Sequence, residues 1–296
     1  MKKSYLNVIS LAILIFAVCC TTVEDQKVIH IIKTPGESAT IKVPDLESSL
    51  KIMQITDSHI SIEDEMESDM MQYAERMHNA YSNPRKHYKQ DISKSTFEYL
   101  DDLLQKAKEE NVELLLLTGD IVNFPSAVSV QYVNDRLTKN GIPWLYISGN
   151  HDWHYEGMAG TMDSLRLIWI EESLLPLYEG HNPLYYSEII NGINFVGIDN
   201  STNQINSDQI DFLKKQLAME EPIILISHIP YKLNSEENQA GMDTFINIIS
   251  SNYDKIIAIF TGHSHRSSYY FTGNFCQYIS PAAFQGASFI VDVVSR

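Results

Sequence analysis

Short apolar runs bounded by turn residues recur along the chain and predict buried strands. Five of these runs lie at residues 50–56, 112–117, 142–147, 223–226 and 256–260. Between them, apolar residues recur every three or four positions, a spacing typical of helices that cover a sheet. The helical patterns lie at residues 97–107, 130–137, 210–217 and 245–249. The alternation of strands and helices predicts an α/β fold with a largely parallel core sheet.

Two other regions predict hairpins. The dipeptides Asn191-Gly192 and Gly273-Asn274 are typical of tight two-residue turns, and the first of them favours type I′. The strands that flank these turns lie at residues 185–190, 193–198, 268–272 and 275–279. A further apolar run, at residues 287–294, predicts the last strand of the chain.

Residues 1–19 are predicted to be a signal peptide for export. Two lysines precede an apolar run at residues 8–18, which is too short to span a bilayer comfortably. The run ends at two cysteines and so resembles a bacterial lipoprotein signal, with Cys20 as the expected lipid-attachment site and Cys19 as the alternative. A cleaved export signal and an uncleaved anchor are the other interpretations. We expect an exported protein that an N-terminal lipid anchor alone holds at the periplasmic or outer surface of the cell envelope.

The charge balance excludes one class of partner. The chain has 38 acidic and 22 basic side chains, which gives a formal net charge of −16. Binding a nucleic-acid polymer normally needs clustered Lys and Arg, so no such partner is expected. A small phosphorylated substrate remains compatible with this charge, because a metal ion or a local Arg can reverse the field at a site.

Side chains that ligate metals follow five of the predicted strands directly. They are Asp57, His59, Asp120, Asn150, His151, His228, His263 and His265. The carboxyl ends of parallel strands meet at one edge of a sheet, so these side chains are expected to converge on one site. Carboxylate, amide and imidazole ligands together suit Mn, Fe or Zn better than Ca²⁺. A carboxylate can bridge two such ions, and an ion pair of this kind clamps an in-line displacement at phosphorus.

The order of the motifs carries a family resemblance. Asp-x-His, Gly-Asp, Gly-Asn-His-Asp, a single His and Gly-His-x-His follow one another between residues 57 and 265. In this order the chain resembles the calcineurin-like metallophosphoesterase family. The resemblance implies a four-layer α-β-β-α sandwich with two mixed sheets and a dinuclear metal site at the carboxyl ends of the strands. It implies two divalent or trivalent ions, one held by Asp57, His59, Asp120 and His265 and the other by Asp120, Asn150, His228 and His263.

The resemblance also implies a reaction. A metal-activated hydroxide would attack the phosphorus, while His151 would protonate the leaving oxygen or stabilise charge on the phosphoryl group. We therefore expect a metal-dependent phosphoesterase that hydrolyses small phosphate mono- or diesters. A nucleotide or nucleotide-sugar pyrophosphohydrolase is the alternative enzyme, since the same site can attack either bond. A catalytically silent surface lipoprotein that binds a phosphorylated ligand is the alternative from another class.

The second motif differs from those of two related subfamilies. Serine/threonine protein phosphatases have Gly-Asp-x-x-Asp-Arg-Gly there, and purple acid phosphatases have a tyrosine ligand three residues after the Asp. Asn123 stands at that position here, and the Arg is absent. Neither subfamily is therefore expected. Asn123 also cannot supply the carboxylate that orients the active-site histidine in protein phosphatases, so the partner of His151 stays open.

Three further residues are weaker candidates for supporting the metals or the substrate. They are Asp152, Asp199 and Arg266. Asp152 brings the Gly-Asn-His-Asp motif closer to the phosphodiesterase-like and general phosphohydrolase branches of the family. Asp199 ends an apolar run and is equally well explained as a turn cap. Arg266 follows the last motif and could meet a substrate phosphate, although a salt bridge or a solvated side chain is the simpler explanation.

The segment at residues 61–95 is the expected seat of substrate specificity, because the metal ligands are common to all substrates of the family. Apolar residues recur in it at helical spacing, at Met66, Met70, Tyr73, Met77 and Tyr81. Such a stripe is typical of a core face, and the sharper hypothesis is a cap insertion over the metals. The loop that would then meet the substrate contains Arg85, Lys86, His87 and Lys89. No linker or internal repeat divides residues 20–296, so a single domain is expected there.

Overall fold

The computed structural model of the protein describes residues 27–63, 65–233, 242–272 and 275–296. The predicted signal peptide at residues 1–19, with Cys19 and Cys20 as its candidate attachment sites, lies outside the described residues, and so does the turn at residues 273–274. In the described ranges, no helix is both long enough and apolar enough to cross a membrane.

Strands and helices alternate through most of the described chain. The strands are β1 (Ile29–Thr34), β2 (Ser38–Val43), β3 (Leu50–Ile55), β4 (Arg85–Lys86), β5 (Ser93–Lys94), β6 (Leu114–Thr118), β7 (Trp144–Ile147), β8 (Tyr185–Ile190), β9 (Ile193–Ile198), β10 (Ile223–Ile226), β11 (Ile256–Thr261), β12 (Ser268–Thr272), β13 (Phe275–Ile279) and β14 (Phe289–Ser295). The α-helices are α1 (Met71–Tyr81), α2 (Thr96–Glu109), α3 (Ala127–Asn140), α4 (Met162–Trp169), α5 (Leu175–Tyr178), α6 (Ser207–Leu217) and α7 (Asp243–Ser250). Short 3₁₀ helices cover Glu65–Met70 and Ala283–Gln285, and a π-helical turn covers Ile170–Leu174.

The strands form two large mixed sheets and one small hairpin. The first sheet has the order β1-β2-β14-β3-β6-β7, the second has the order β12-β13-β11-β10-β9-β8, and β4 pairs with β5. In the first sheet β3, β6 and β7 run parallel, while β14 is antiparallel to β3. In the second sheet β13, β11, β10 and β9 run parallel, and both edge strands are antiparallel.

The largely parallel core sheet predicted from strand–helix alternation is therefore divided into two mixed sheets. The pattern along the chain identifies the strands but carries no information about which neighbour each strand pairs with. The last strand, β14, returns to the first sheet and lies between β2 and β3. Two mixed sheets are what the family resemblance implied, and the structure confirms that implication.

Apolar side chains join the two sheets and the helices into four layers. The inner faces of the sheets meet in a core that includes Leu116 and Ile147 from one sheet and Phe195 and Ile226 from the other. Helices α2 and α3 pack against the outer face of the first sheet. Helices α6 and α7 pack against the outer face of the second sheet. The α-β-β-α sandwich is thus confirmed.

Most element positions agree with the sequence patterns. The five predicted core strands correspond to β3, β6, β7, β10 and β11, and the predicted hairpin strands to β8, β9, β12 and β13. Asn191 and Gly192 have φ of 50° and 76°, as a type I′ turn requires. No strand or helix is predicted between residues 20 and 50, where the structure has the hairpin β1–β2. The edge strand β1 alternates only between exposed and half-buried positions, so its pattern is weak.

A pair of leucine substitutions tests the layer assignment. Leu116→Ala is expected to lower the free energy of unfolding by about 2–5 kcal/mol, because it leaves a cavity between the two sheets. Leu167 on α4 is 52% exposed, and Leu167→Ala is expected to change that free energy by less than about 0.5 kcal/mol. Urea unfolding of both variants measures the difference. Equal effects of the two substitutions would contradict the placement of β6 in the inner core.

Candidate metal centre

The two sheets bring their carboxyl strand ends to one place, and a buried glutamine links them there. Gln54 on β3 is fully buried, and its Nε2 atom donates to Thr118 Oγ1 on β6 and to the carbonyl oxygen of Thr261 on β11, both at 2.8 Å. Asp57 follows β3 and Asp120 follows β6, while the predicted histidine ligands of the second sheet follow β10 and β11. The link therefore holds the ends of three strands from both sheets together.

The first group of candidate ligands surrounds the Asp57 carboxylate. Asp57 Oδ1 lies 3.1 Å from His265 Nε2 and 4.0 Å from His59 Nε2. The two imidazole Nε2 atoms are 3.4 Å apart. One ligand atom from each of these three residues lies within 4.8 Å of the others, so together they could hold one metal ion.

The second group surrounds the Asp120 carboxylate. His228 Nε2 lies 3.2 Å from Asp120 Oδ2, and His263 Nδ1 lies 3.3 Å from His228 Nε2. His228 Nδ1 donates to the carbonyl oxygen of Thr118 at 2.8 Å, which turns Nε2 toward the site, as is usual for metal-ligating histidines. His59 Nε2 is 4.0 Å from the same Asp120 Oδ2 atom. Asp120 therefore lies between the two groups and could bridge two ions.

An unpaired amide supports the same interpretation. Asn150 Oδ1 is buried and accepts no hydrogen bond from the described residues, and His59 Nδ1 is likewise without a partner there. Buried polar atoms without a partner are uncommon because they are costly. The backbone on both sides of Asn150 is fixed: the Gly149 N–H donates to Asp152, and the His151 N–H donates to Asp120 Oδ1. The donor set present thus fits two metal ions.

Local backbone conformation aims these side chains into the site. The five candidate ligands with left-handed φ, between 47° and 66°, are Asp57, His59, Asp120, His263 and His265. This conformation costs on the order of 1–2 kcal/mol for a residue that has a Cβ atom, and it persists only where surrounding contacts impose it. One contact that imposes it is the hydrogen bond that the His59 N–H donates to the carbonyl oxygen of Asp120 at 3.0 Å. Such strain is concentrated at functional sites.

Two motif glycines leave space for the carboxylates. A Cβ atom at Gly149 would overlap Asp120 Oδ1, and one at Gly262 would overlap Thr56 Oγ1 and lie 2.6 Å from Asp57 Oδ2. The glycines of Gly-Asn-His-Asp and Gly-His-Ser-His are therefore needed for close approach between the strand ends.

The histidines and carboxylates of the site balance one another. Burial lowers the pKa of His228, but the Asp120 carboxylate outweighs burial and raises that pKa to about 10. Burial raises the pKa of Asp120, but His228 and His151 outweigh it and hold that pKa well below its usual range. Burial and then the His151 ring lower the pKa of His59 to about 3, so this ring is neutral, as a metal ligand must be. A cation bound here would take over the role of the charged His228 ring.

His151 has an amide partner in place of the carboxylate found in protein phosphatases. Its Nδ1 atom lies 3.0 Å from Asn123 Oδ1, and Asn123 Nδ2 donates to the carbonyl oxygen of Met77 on α1 at 2.6 Å. With the amide nitrogen directed at Met77, the amide oxygen faces His151 and accepts from Nδ1–H. The Nε2 atom is left for the substrate side, and one ring nitrogen lies within 4.8 Å of ligand atoms of His59 and Asp120. The partner left open by the sequence is thus Asn123.

Asp152 supports the backbone of the site. Its carboxylate accepts from the backbone N–H groups of Gly149 at 2.7 Å and of Asp120 and Val122 at 2.8 Å each. Burial and the neighbouring Asp120 raise the pKa of Asp152 to about 7, although the N–H donors oppose that shift. Asp152 therefore joins the loops that follow β6 and β7 and holds Asp120 in position.

Asp199 and Arg266 lie apart from the two ligand groups. Asp199 Oδ2 accepts from Ser148 Oγ at 3.0 Å and lies 3.5 Å from Arg166 Nη1. It therefore supports the residue that directly follows β7. Arg266 is exposed beside His265. Asn200 is a further supporting residue, which the motifs did not identify: its Oδ1 accepts from the N–H groups of His228 at 3.1 Å and Ile229 at 2.9 Å. Its position at the end of an apolar run, next to Asp199, was the available signal.

An aromatic wall borders the first ligand group. Tyr81, the last residue of α1, stacks on His59 with 4.2 Å between ring centres and 12° between planes. Phe284 packs edge-on against His265 at 5.0 Å and against His59 at 5.7 Å. The N–H of Phe284 donates to the carbonyl oxygen of Asp57 at 3.0 Å, which holds its short helix against the site. The segment at residues 61–95 thus contributes α1 and Tyr81 to one side of the centre.

Comparison with known proteins points to one family. The sequence model for the calcineurin-like phosphoesterases matches residues 50–267. A probable cyclic nucleotide phosphodiesterase of Fibrobacter succinogenes is 24% identical over 73% of this chain and 73% of its own length. One of Vesicomyosocius okutanii is 25% identical over 57% of this chain and 69% of its own. Among solved structures, a dimetal phosphatase from Danio rerio shares the fold, with a TM-score of 0.54, 11% identity and coverage of 80% of this chain and 88% of that one.

The space that Gly262 provides can be tested by adding a methyl group. Gly262→Ala is expected to displace the Asp57 carboxylate, to destabilise the fold by about 1–3 kcal/mol and to reduce the metal content of the purified protein. Gly157→Ala is the control for destabilisation without crowding: Gly157 has a left-handed φ of 79°, which Gly262 lacks, so an added Cβ strains its backbone, but no atom lies within 4 Å of that Cβ. The control is expected to keep its metal content, as measured by atomic emission. Full metal content in Gly262→Ala would contradict the role assigned to this close approach.

Proposed function

The chain belongs to the calcineurin-like phosphoesterase family, and on that basis we propose that it hydrolyses small phosphate esters with two bound metal ions. The observation that carries the proposal is the pair of ligand groups that share Asp120. All the ligand positions of the family pattern are occupied in this chain by residues able to bind metals, which argues against a catalytically silent relative. The mixed carboxylate, amide and imidazole donors favour Mn, Fe or Zn as the two ions.

The candidate ligands divide into one set for each metal ion, with Asp120 in both. Asp57, His59 and His265 would hold one ion, Asn150, His228 and His263 the other, and Asp120 both. Two ions bound in this way supply Lewis-acid stabilisation of the phosphoryl group and a nucleophile at neutral pH.

Two side chains of this protein would transfer the proton and keep the site rigid. His151 is oriented through Nδ1 by Asn123 and presents Nε2, from which a proton can pass to the leaving oxygen. Asp152 keeps the Asp120 loop rigid, and rigid placement of charged groups favours the transition state.

The substrate class we propose is a small phosphodiester or phosphomonoester. The names of the relatives, probable cyclic nucleotide phosphodiesterases, support diesters as the first compounds to test. The net charge of −16 supports a small substrate over a nucleic-acid polymer. A pyrophosphate bond is the alternative, since the same geometry can attack it.

Activity and metal content together test this function. Purified residues 21–296 are expected to turn over para-nitrophenyl phosphate, its bis-ester or members of a nucleotide panel with added Mn²⁺, and to lose turnover when a chelator removes the metals. His151→Ala is expected to lower kcat about 10²- to 10⁴-fold with unchanged metal content. His181→Ala serves as the control, because His181 pairs with Glu188 and Tyr178, apart from the ligand groups. Absence of bound metal and of all turnover would defeat the proposal.

We further propose that the protein is exported and anchored by lipid at Cys20, with Cys19 as the alternative. The support is the apolar run at residues 8–18 that ends at the two cysteines. Cys20→Ser is expected to move the protein from the membrane fraction of its host to the soluble fraction, and Cys276→Ser, in the buried core, is not. Unchanged membrane association in both the Cys19 and Cys20 variants would rule out the lipid anchor.

A further inference from the structure

Arg85 brings a guanidinium group to the aromatic wall beside the metal centre. Its Cζ atom lies 5.0 Å from the centre of the Tyr81 ring and 5.9 Å from the centre of the Phe284 ring. Tyr81 in turn stacks on His59, so the guanidinium lies within about 9 Å of the centre of that candidate ligand. Arg85 is therefore close enough to meet a group of the substrate next to the one held at the metals.

The position of Arg85 is fixed by the body of the protein. Its backbone pairs with Lys94 in the hairpin β4–β5, and Tyr99 Oη donates to its carbonyl oxygen at 2.9 Å. Tyr99 belongs to α2 and is 1% exposed, so the hairpin is held by a helix of the outer layer. A guanidinium that is already stacked on aromatic rings loses little freedom when it binds a ligand.

The other basic residues of the same loop have partners of their own. Lys86 lies 3.2 Å from Asp91, and Lys89 lies 3.0 Å from Glu37. His87 Nδ1 accepts from the backbone N–H groups of Lys89 and Gln90. These three side chains are thus engaged within the loop and with the turn between β1 and β2.

Arg85 differs from them because none of the residues that the structure describes supplies an acceptor for its side chain. Its Nε atom is buried without a hydrogen-bond partner, and within the described part of the chain no carboxylate forms an ion pair with the guanidinium. A buried donor without an acceptor is costly, and the cost is larger for a charged group. In a chain with a net charge of −16, an unpaired cation at the edge of a catalytic centre indicates that an anionic ligand supplies the acceptor.

We propose that Arg85 binds a second anionic group of the substrate, and that the enzyme prefers phosphate compounds that carry one, such as nucleoside diphosphates. The inference rests on the proposed function and names the substrate class of that site. A guanidinium group matches phosphate oxygens in geometry and charge. A cyclic diester carries a single negative charge, so it offers no second anionic group to Arg85.

Hydrolysis adds one water: its oxygen bonds to the phosphorus, the bond from phosphorus to the bridging oxygen breaks, and the bridging oxygen takes the proton. Arg85 holds the departing or remaining phosphate and takes no part in the proton transfer.

Binding of non-hydrolysable ligands tests the inference without turnover. Calorimetry compares methylenediphosphonate, with two phosphonate groups, and methylphosphonate, with one, on protein loaded with Mn²⁺. The wild-type chain is expected to prefer the bisphosphonate, and Arg85→Gln is expected to lose about tenfold or more of that preference. Chelation of Mn²⁺ in solution affects both proteins equally, so the comparison between them is unaffected by it. An unchanged preference in Arg85→Gln would overturn the inference.

Three variants keep the test decisive. Arg85→Lys retains the charge without the planar fork and is expected to keep part of the preference, so it decides the matter if Arg85→Gln fails to fold. Lys86→Gln, on the same hairpin, is expected to behave as the wild type. Arg266→Gln tests the exposed arginine that follows His265. Loss of the preference in Arg266→Gln, with no loss in Arg85→Gln, would assign the second anion to Arg266 and overturn the inference.

Steady-state kinetics separate this inference from the proposed function. With ADP as substrate, Arg85→Gln is expected to raise KM about tenfold with a smaller change in kcat, while kcat/KM for bis(para-nitrophenyl) phosphate stays within about twofold. Equal losses on both substrates would show that Arg85 does not select the second anion. Absence of turnover in the wild-type chain would defeat the proposed function, and the phosphonate binding would still decide the role of Arg85.

Discussion

The carboxylates of Asp57 and Asp120 are buried between the two sheets, and their negative charge has to be compensated where it lies. Each residue is at most 1% exposed. Buried charge is costly unless opposite charge and hydrogen bonds surround it, and here the compensation comes from histidines on the opposite sheet. His265 lies against Asp57, and His228 lies against Asp120. The two carboxylates therefore require the strand ends of the two sheets to be in contact. Two metal ions would compensate the same negative charge, with more positive charge than the histidines supply.

The rest of the site limits how much negative charge the centre contains. Asp152 adds a third buried carboxylate, but its oxygens accept from three backbone N–H groups and its pKa is raised to about 7. At the position that orients His151, a neutral amide replaces a fourth carboxylate. Asn123 keeps the ring direction through a hydrogen bond without adding charge, and its own orientation depends on the carbonyl oxygen of Met77. Geometry and charge are thus controlled by different residues.

The segment at residues 61–95 borders the candidate metal centre on one side. Helix α1 supports Asn123 through Met77, and its last residue, Tyr81, covers His59. The hairpin that follows places Arg85 against Tyr81. One segment therefore reaches the residue that orients His151, a candidate metal ligand and an unpaired cation. We propose that changes in this segment alter substrate choice while the ligands after the strands stay the same, since the segment lies outside the two large sheets.

Much of the candidate site could be predicted because the information is local. Asp-x-His or Gly-Asn-His-Asp directly after an apolar run specifies both the ligand types and a strand end, and the structure gathers Asp57, His59, Asp120, His228, His263 and His265 into two groups. The core strands and the Asn191-Gly192 turn were predictable for the same reason, because an apolar run that ends at turn residues and a left-handed φ are properties of neighbouring residues.

The sequence by itself determined which side chains able to bind metals stand at the strand ends, and the tertiary structure decided what stands around them. That β14 lies between β2 and β3, that Gln54 reaches Thr261, and that Phe284 packs on His265 are contacts between residues far apart in the chain. The same holds for the four basic residues of the loop that follows α1. Among them, only Arg85 faces the aromatic wall without a partner in the described chain. Patterns along a chain record local preference, whereas pairing, burial and charge compensation depend on which distant residues the packed sheets bring into contact.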